Sequence, residues 1–319
     1  MLGVSLGGWL GVAGGASALA VGKWYLNGGV NPYHPSLEGR VVVVTGAYAG
    51  IGFETTRELV RLGAHVVLGC RDEKRAGVAL GRIKAEGYPG TCEFIRLDLS
   101  SRASIEEFAK TFKSRHGKLH ILINNAGVMA CPQWNTSEGF EMQFGTNHLG
   151  HFLLTYLLID PLQAAAPSRV VVVSSRSHEK ATINFTDVHF KRRSYSAAEA
   201  YGQSKLANIL FTKEFSNKFA EKGITAYCLH PGVVRTELSR HFNHTVLCLL
   251  SPLIWYFTKS PQRGAQTSLY CALAPNIEKH SGKYFTDCAL ATPAPEAEDD
   301  GLAKKLWYYS EEQWGITFG

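Results

Sequence analysis

Residues 40–52 read Arg-Val-Val-Val-Val-Thr-Gly-Ala-Tyr-Ala-Gly-Ile-Gly, and this stretch decides the fold. Its first part, residues 40–44, is a β-branched run typical of a strand that is buried on both faces. Gly46, Gly50 and Gly52 follow at once. Glycines in a strand-to-helix turn let a pyrophosphate approach the backbone, and the helix N-terminus then offers free N–H groups. The stretch therefore predicts a dinucleotide-binding site, with a plain structural turn as the alternative.

The chain beyond this stretch alternates short apolar runs with helical patterns. Further strands are predicted at residues 64–68, 94–97, 121–123, 170–173 and 224–229, and helices at about residues 50–62, 104–113 and 152–162. Such alternation indicates a parallel sheet covered on both faces. No proline- or glycine-rich linker divides residues 40–290. We therefore predict an α/β fold, a single doubly wound Rossmann-type sheet with helices on both faces, plus an N-terminal hydrophobic anchor.

Composition excludes several classes of protein. Of the 319 residues, 45% are hydrophobic and 19% are charged, which is too apolar for an intrinsically disordered chain. The net charge of +6 comes from scattered side chains, and the short basic run at residues 191–193 is expected to be a solvated loop. Nucleic acid is therefore not an expected partner. The seven cysteines form no CxxC pair, which predicts free thiols in a reducing compartment.

The N-terminal segment, residues 1–22, contains no charged side chain. A membrane-spanning helix needs about 20 mainly apolar residues, so we predict a membrane anchor. A cleaved signal peptide and a soluble buried helix are the alternatives. Residues 23–39 are then a linker and residues 40–319 the catalytic domain. Because Lys23 and Arg40 flank the segment on its C-terminal side, the domain is expected to face the cytosol.

A second motif carries acid–base chemistry. Ser196 and Glu199 form a capping box, so a helix is predicted to begin there. Tyr201 and Lys205 then lie four residues apart on one helical face. A nearby ammonium favours the phenolate and is expected to lower the pKa of Tyr201 from its usual value near 10. Tyr201 could then act as general acid for carbonyl reduction or as general base for alcohol oxidation.

Several motifs appear in one order along the chain. They are residues 45–52, which we call the glycine loop, Asn-Asn-Ala-Gly at 124–127, Asn147 in Asn-His-Leu-Gly, Ser174-Ser175, Tyr201-Gly202-Gln203-Ser204-Lys205, and Pro231-Gly232 followed by Thr236. In this arrangement the sequence resembles the short-chain dehydrogenase/reductase family. Residues 70–72, 147–155, 204–211 and 261–273 are similar to its membrane-anchored retinol dehydrogenase branch. The resemblance covers roughly residues 38–310, with Tyr48-Ala49 where the branch usually has Asn-Thr.

The resemblance implies an NADP(H)-dependent oxidoreductase that interconverts a lipophilic carbonyl and its alcohol, with retinal and retinol favoured. The implied catalytic residues are Asn147, Ser175, Tyr201 and Lys205. Ser175 and Tyr201 would contact the substrate oxygen, and Asn147 would fix a water that links Lys205 to solvent. The implied cofactor-binding residues are Gly46, Tyr48, Ala49, Gly50, Ile51, Gly52, Arg71, Asp98, Asn125, Ala126, Gly127, Tyr201, Lys205, Pro231, Gly232, Val234 and Thr236. No metal is needed.

The choice of dinucleotide depends on the tip of the second strand. NAD-specific enzymes place a carboxylate there to hold the ribose 2′-OH. Here the tip is Gly69-Cys70 followed by Arg71, and a guanidinium can pair with a 2′-phosphate. Asp72 comes too late, beyond the end of the strand. The pattern therefore predicts NADP(H).

Residues 237–260 are expected to form a substrate lid, because this family places its lid after the sixth strand. Residues 246–257 are strongly apolar, which favours a lipophilic substrate delivered from the membrane. A buried core helix or a dimer helix is the alternative, and a homodimer is possible. Two further functions stay open: the same chemistry on steroid or lipid-peroxidation carbonyls, and a catalytically idle nucleotide- or lipid-binding scaffold.

Location and direction follow from the predicted anchor. The endoplasmic reticulum is favoured, with the mitochondrial inner membrane as the alternative. On a cytosol-like face NADPH exceeds NADP⁺, so reduction of the carbonyl is expected. Glycosylation sequons begin at Asn135, Asn184 and Asn243. A lumenal domain would carry glycan on at least one of them, so these sites test the orientation.

Overall fold

The structure is a computed structural model that describes residues 21–23, 26–235 and 251–318, without the side chains of residues 251–253. Its centre is one eight-stranded sheet. The strands are β1 (Val41–Thr45), β2 (His65–Cys70), β3 (Thr91–Arg96), β4 (Ile121–Asn124), β5 (Ser168–Val173), β6 (Ile224–His230), β7 (Tyr284–Thr286) and β8 (Ala289–Ala291). The first six overlap the runs predicted from the sequence, with ends that differ by up to three residues.

The sheet order is β3-β2-β1-β4-β5-β6-β7-β8. Strands β1 to β7 are parallel, and β8 pairs antiparallel with β7. The order reverses between β1 and β4. In open α/β sheets a ligand crevice forms at such a reversal, outside the carboxyl ends of the strands. This topology confirms the predicted Rossmann-type fold and places the glycine loop at the crevice.

Helices cover both faces of the sheet. They are α1 (Gly50–Arg61), α2 (Glu73–Ala85), α3 (Arg102–Arg115), α4 (Gly150–Leu157), α5 (Ile159–Ala164), α6 (Ala197–Phe219), α7 (Ser251–Phe257), α8 (Pro261–Leu273) and α9 (Asp300–Trp314). One apolar core lies between the sheet and α1, α2 and α8. The other lies between the sheet and α3, α4, α6 and α9. Because both faces are covered, the central strands are apolar throughout, as their sequences indicate.

The helix predicted over residues 152–162 is divided in the structure. Leu158 separates α4 from α5. Pro161 has no N–H to donate to Leu157 and its ring crowds that turn, which accounts for the break. A short helical turn, Met142–Phe144, and a π-helical turn, Gly145–Leu149, lead into α4. Asn147 lies in this π-helical turn.

Candidate active site

A cleft of about 1200 Å³, including its open mouth, lies along the carboxyl ends of the parallel strands. Fourteen of the sequence-predicted residues line it: Gly46, Tyr48, Ala49, Gly50, Ile51, Gly52, Arg71, Asp98, Asn125, Ala126, Gly127, Tyr201, Lys205 and Pro231. Asn147, Ser175, Gly232 and Val234 lie behind or beside this lining. Thr236 and most of the predicted lid, residues 237–250, lie outside the described residues.

The glycine loop has the backbone that phosphate binding requires. Gly46 and Gly50 have φ of +65° and +57°, a region that favours glycine. A Cβ on Gly52 would lie 2.4 Å from the Gly46 carbonyl oxygen and 2.5 Å from Asn125 Nδ2, so no side chain fits. Ala49 is the N-cap of α1 and its methyl group makes no hydrogen bond. The first N–H groups of α1 are thus left for an anion, and the loop fits a dinucleotide.

Arg71 lies at the tip of β2 and Arg75 lies close by in α2, and the carboxylate of Asp72 between them is used as a helix cap. Cys70 is buried, and Arg71 is exposed along the cleft. The Asp72 carboxylate accepts a hydrogen bond from Arg75 N at 3.0 Å, so it caps α2. The Arg75 guanidinium lies 4.2 Å from the centroid of the Tyr48 ring. Sequence reasoning missed Arg75, because its contact with the glycine loop depends on how α2 packs against α1.

The ends of β3 and β4 line the next part of the cleft. Asp98 Oδ1 accepts hydrogen bonds from Ser100 N at 3.0 Å and Ser100 Oγ at 2.6 Å, which fixes its carboxylate. After β4, Asn125 Nδ2 donates to the Thr45 carbonyl at 2.8 Å. Asn125 N and Ala126 N both donate to Thr45 Oγ1 at 2.9 Å. The glycine loop and the loop after β4 are therefore held together by Thr45.

Tyr201 and Lys205 lie one turn apart on α6, and both are buried. Ser196 caps this helix by accepting from Glu199 N at 3.3 Å, as the capping box predicts. Lys205 Nζ lies 5.5 Å from the centroid of the Tyr201 ring and donates to the Val173 carbonyl at 3.0 Å. Burial lowers the pKa of Lys205 to about 8.

The pKa of Tyr201 shifts in the direction opposite to the prediction. We expected the ammonium to lower its pKa, but burial raises the pKa to about 12. The prediction was wrong because desolvation of the phenolate outweighs a hydrogen bond from Ser175, and because Lys205 Nζ is directed to the Val173 carbonyl. In this structure Tyr201 is a neutral phenol, the form that a general acid requires.

Ser175 is the second residue after the end of β5 and lies beside the Tyr201 phenol. It is the N-cap of the 3₁₀ turn Arg176–Lys180, and its Oγ accepts from Ser177 N at 3.2 Å. Its neighbour Ser174 points the other way and donates to the Lys205 carbonyl at 2.7 Å. The two serines thus have different roles. Ser174 holds α6 in place, and the hydroxyl of Ser175 lies near Tyr201.

Asn147 connects the catalytic helix to the loop after β4. Its Nδ2 donates to the Val128 carbonyl and to Ser204 Oγ, both at 3.0 Å, and its Oδ1 accepts from Val128 N at 2.8 Å. Gly127 packs between the partners, because a Cβ there would lie 3.3 Å from Asn147 Oδ1 and 3.7 Å from Lys205 Nζ. The four residues predicted to be catalytic are therefore gathered at one end of the cleft.

A buried histidine, His151, supports Asn147. His151 Nδ1 lies 3.0 Å from the Asn147 carbonyl oxygen, and its Nε2 lies 2.9 Å from Thr45 Oγ1. Burial lowers the pKa of His151 to about 4, so the ring is neutral. With Nδ1 as the donor to a carbonyl, Nε2 accepts from the Thr45 hydroxyl. One ring therefore joins the end of β1 to the Asn147 backbone.

The end of β6 borders the cleft near Tyr201 and Lys205. Pro231 lines it directly, and Gly232 has a φ of +91°. A Cβ on Gly232 would lie 2.7 Å from the Lys259 side chain, so a glycine is needed where this lysine crosses. Val234 pairs with Lys259 in an isolated parallel bridge. The segment after β6 is thus tied to the residues that follow α7.

Comparison with known proteins agrees with this geometry. A family model described as short chain dehydrogenase matches residues 40–247. Human retinol dehydrogenase 13 is 46% identical over 314 residues, covering 96% of this chain and 93% of that protein. The chain belongs to the short chain dehydrogenase family. It groups with the retinol dehydrogenase branch, and it is an oxidoreductase that acts on CH–OH donors with a nicotinamide cofactor.

Two further relatives of this dehydrogenase support the assignment. Retinol dehydrogenase 12 of Mus musculus is 49% identical over 294 residues, covering 92% of each chain. The crystal structure of an uncharacterised protein from Mycobacterium paratuberculosis is 34% identical, with a TM-score of 0.75 over 92% of this chain and 99% of that one. The similarity therefore extends across the whole catalytic domain, beyond the nucleotide-binding motifs.

The described part of the predicted lid includes α7, and two of the aromatic side chains of α7 are exposed. Trp255 and Phe257 are 58% and 59% exposed, which does not fit the alternative of a buried core helix. Lys23 Nζ donates to the carbonyls of Trp255 at 2.7 Å, Tyr256 at 2.9 Å and Thr258 at 2.7 Å. A cation at a helix C-terminus is electrostatically favourable. Lys23, which precedes β1 in the chain, thus contacts the end of α7.

Within the described residues, none of the helices is long and apolar enough to cross a membrane. The predicted anchor, residues 1–22, lies outside them except for Val21 and Gly22. The six cysteines that the structure describes are free thiols, as expected. Cys248 lies outside the described residues.

Proposed function

We propose that this dehydrogenase reduces retinal to retinol with NADPH, using Tyr201 as the general acid. The observation that carries the proposal is the buried pair Tyr201–Lys205 beside Ser175 at the end of a dinucleotide cleft. A neutral phenol and a titratable buried amine can together deliver a proton to a carbonyl oxygen.

Each of the four residues has a distinct role in the proposal. Ser175 and Tyr201 hydrogen-bond the carbonyl oxygen, and Tyr201 donates its proton as that oxygen becomes an alkoxide. Lys205 stabilises the resulting phenolate and passes on a proton. Asn147 holds the proton relay of Tyr201 and Lys205 in place through its hydrogen bonds to Val128 and Ser204. The nicotinamide, when bound, supplies the hydride.

We propose NADPH in preference to NADH on electrostatic grounds. Arg71 is exposed along the cleft, and Arg75 is stacked on Tyr48 of the glycine loop. Two guanidinium groups at this point favour a 2′-phosphate, and the carboxylate of Asp72 is occupied as a helix cap. NAD-type recognition of the ribose by a carboxylate has no support at this strand end.

The substrate class and location rest on the relatives and the lid. The similar proteins are named retinol dehydrogenases, and α7 exposes Trp255 and Phe257. We propose that residues 1–22 anchor the chain, residues 23–39 link it, and residues 40–319 face the cytosol with the lid near residues 237–260. The endoplasmic reticulum is the favoured membrane, and lipophilic substrate enters from the bilayer.

The test is NADPH oxidation by the purified chain with all-trans-retinal. NADH, the Tyr201→Phe variant and the Tyr227→Phe variant are the controls, because Tyr227 is also buried but lies on β6 outside the cleft. We expect turnover with NADPH that is lost only in Tyr201→Phe. Turnover that survives this change would overturn the proposed acid. NADPH binding without retinal turnover would overturn the substrate, and steroid and lipid-peroxidation carbonyls would be assayed next.

A further inference from the structure

Two histidines and a glutamate converge at the amino-terminal edge of the sheet, opposite the cofactor cleft. His65 is the first residue of β2, Glu93 is in β3, and His116 follows α3. His116 Nε2 lies 2.6 Å from Glu93 Oε1, and His65 Nε2 lies 3.3 Å from the same oxygen. The ring centroids of the two histidines are 5.0 Å apart. One ligand atom from each residue lies within 4.8 Å of the others.

The fold places these side chains on one face. His65 pairs with Thr91 in the parallel register, so His65, Thr91 and Glu93 point to the same side of the sheet. Helix α3 packs on that side, and its end brings His116 into contact with the Phe112 ring at 5.1 Å between centroids. Three potential ligands from three elements are therefore held without any loop rearrangement.

The hydrogen bonds around the cluster suit a metal ion. Thr91 Oγ1 lies 2.7 Å from His65 Nδ1, and Arg115 Nη1 lies 2.6 Å from Glu93 Oε2. When Nδ1 donates to Thr91, the lone pair of His65 Nε2 faces Glu93 Oε1, and two acceptors then oppose each other. Metal-bound histidines are oriented in this way by a hydrogen bond from the second ring nitrogen.

We propose that His65, Glu93 and His116 bind Zn²⁺ or a similar divalent transition-metal ion, with water as a fourth ligand. Imidazole and carboxylate ligands are the donors that zinc takes in sites with three protein ligands. The side chains of His116, Glu93 and His65 are 16%, 25% and 31% exposed, so an ion can enter from solvent. The site would join β2, β3 and α3, and it does not depend on the proposed reaction.

The test uses untagged full-length protein stripped of metal with a chelator. Zn²⁺ is titrated while the unfolding temperature is measured, and Co²⁺ is titrated while its visible absorption is recorded. We expect Zn²⁺ to raise Tm, because an ion that binds only the folded state stabilises it. We also expect Co²⁺ to give the intense bands of four-coordinate geometry. Both effects should disappear in His116→Gln and in Glu93→Gln.

A matched control exists elsewhere on the surface. His34 Nδ1 lies 3.3 Å from Glu58 Oε1, and Arg61 also pairs with that glutamate, but no second histidine among the described residues joins them. His34→Gln should keep the full response to both metals. Circular dichroism of each variant shows that it is folded. A Tm increase of the same size in folded His116→Gln and in the original chain, or Co²⁺ that stays octahedral, would overturn the proposed site.

Discussion

Lys205 is the residue whose titration should be visible in the reaction. Burial lowers the pKa of its ammonium to about 8, from an ordinary value of 10.5. Below pH 8 the charge supports proton delivery through Tyr201, and above pH 8 it is lost. We expect kcat/KM for carbonyl reduction to fall as pH rises through about 8, by roughly tenfold for each further unit. The profile is measured with NADPH and retinal.

The Lys205→Arg variant separates this titration from general alkaline loss. A guanidinium stays protonated throughout the range, so the falling limb near pH 8 should be absent even though the rate is lower. The assignment to Lys205 would be wrong if both proteins lost activity at the same pH.

His151 should act as a positioning residue through the Asn147 backbone. Its replacement by Phe removes both hydrogen bonds and leaves Thr45 Oγ1 without the acceptor at 2.9 Å. Losing a buried hydrogen bond costs about 1–3 kcal/mol, so we expect kcat to drop roughly tenfold or more. His151→Gln can donate and accept, and should recover much of the rate.

His148 provides the control for this histidine. It is equally buried, but its Nε2 pairs with Ser310 Oγ at 2.8 Å, away from the relay. His148→Gln is expected to change Tm and leave kcat largely unchanged. An equal loss of kcat in His148→Gln and His151→Phe would mean that the effect is general loosening of the core.

Arg75 should determine the cofactor preference together with Arg71. We expect Arg75→Gln to raise KM for NADPH about tenfold and to change KM for NADH little, because only NADPH carries the 2′-phosphate. Arg82 is the matched control, since its guanidinium stacks on Phe53 of α1 at 4.4 Å and lies two turns further along α2. Equal effects on NADPH and NADH in Arg75→Gln would contradict this role.

The sequence predicts residues that belong to local motifs and misses those that act across elements. Tyr201, Lys205 and the glycine loop can be predicted from the sequence because the other residues of their motifs lie within a few positions of them. The roles of Arg75, His151 and the cluster of His65 with His116 cannot, because the residues that they contact are brought together by the sheet. The direction of the Tyr201 pKa shift was also beyond the sequence, since burial at that depth is a tertiary property.

At the scale of elements, the start of α1 should tolerate no side chain at Gly52. An added Cβ would meet backbone and amide atoms at 2.4–2.5 Å. We expect Gly52→Ala to weaken NADPH binding at least tenfold. Gly77 lies inside α2 with nothing within 4 Å of an added Cβ. Gly77→Ala should therefore stabilise the fold by about 0.5–1 kcal/mol without affecting NADPH affinity.

These two substitutions are compared by NADPH titration and by thermal unfolding. Only Gly52→Ala should weaken NADPH binding and only Gly77→Ala should stabilise the fold, so an effect shared by both variants on either readout would contradict the assigned packing. The elements themselves were predictable where they are long and β-branched, as in β1 and β5. Strands β7 and β8 have three residues each, and they are strands because β7 pairs with β6 and β8 pairs with β7. No local pattern of that length could have indicated them.

At the scale of the whole molecule, the proposed orientation predicts the state of the sequons. Asn135 is exposed, and Asn184 lies on a turn in which it accepts a hydrogen bond from Thr186 Oγ1 at 2.7 Å. A cytosol-facing domain should carry no glycan at either site. The measurement is the mass of the protein from a eukaryotic membrane fraction before and after glycosidase treatment. A decrease in mass would place the domain in the lumen.

The C-terminal helix has a consequence for how this chain is made. Trp307, Trp314 and Phe318 are buried in the same core as Phe211 and Phe215 of α6, the helix that holds the catalytic pair. The ribosome synthesises α6 long before these aromatic residues. Until they are made, the face of α6 that they cover in the folded protein stays uncovered. A nonsense mutation after Ser310 would leave every reacting group encoded and still yield a polypeptide that lacks Trp314 and Phe318, two of the aromatic residues that complete the core against α6.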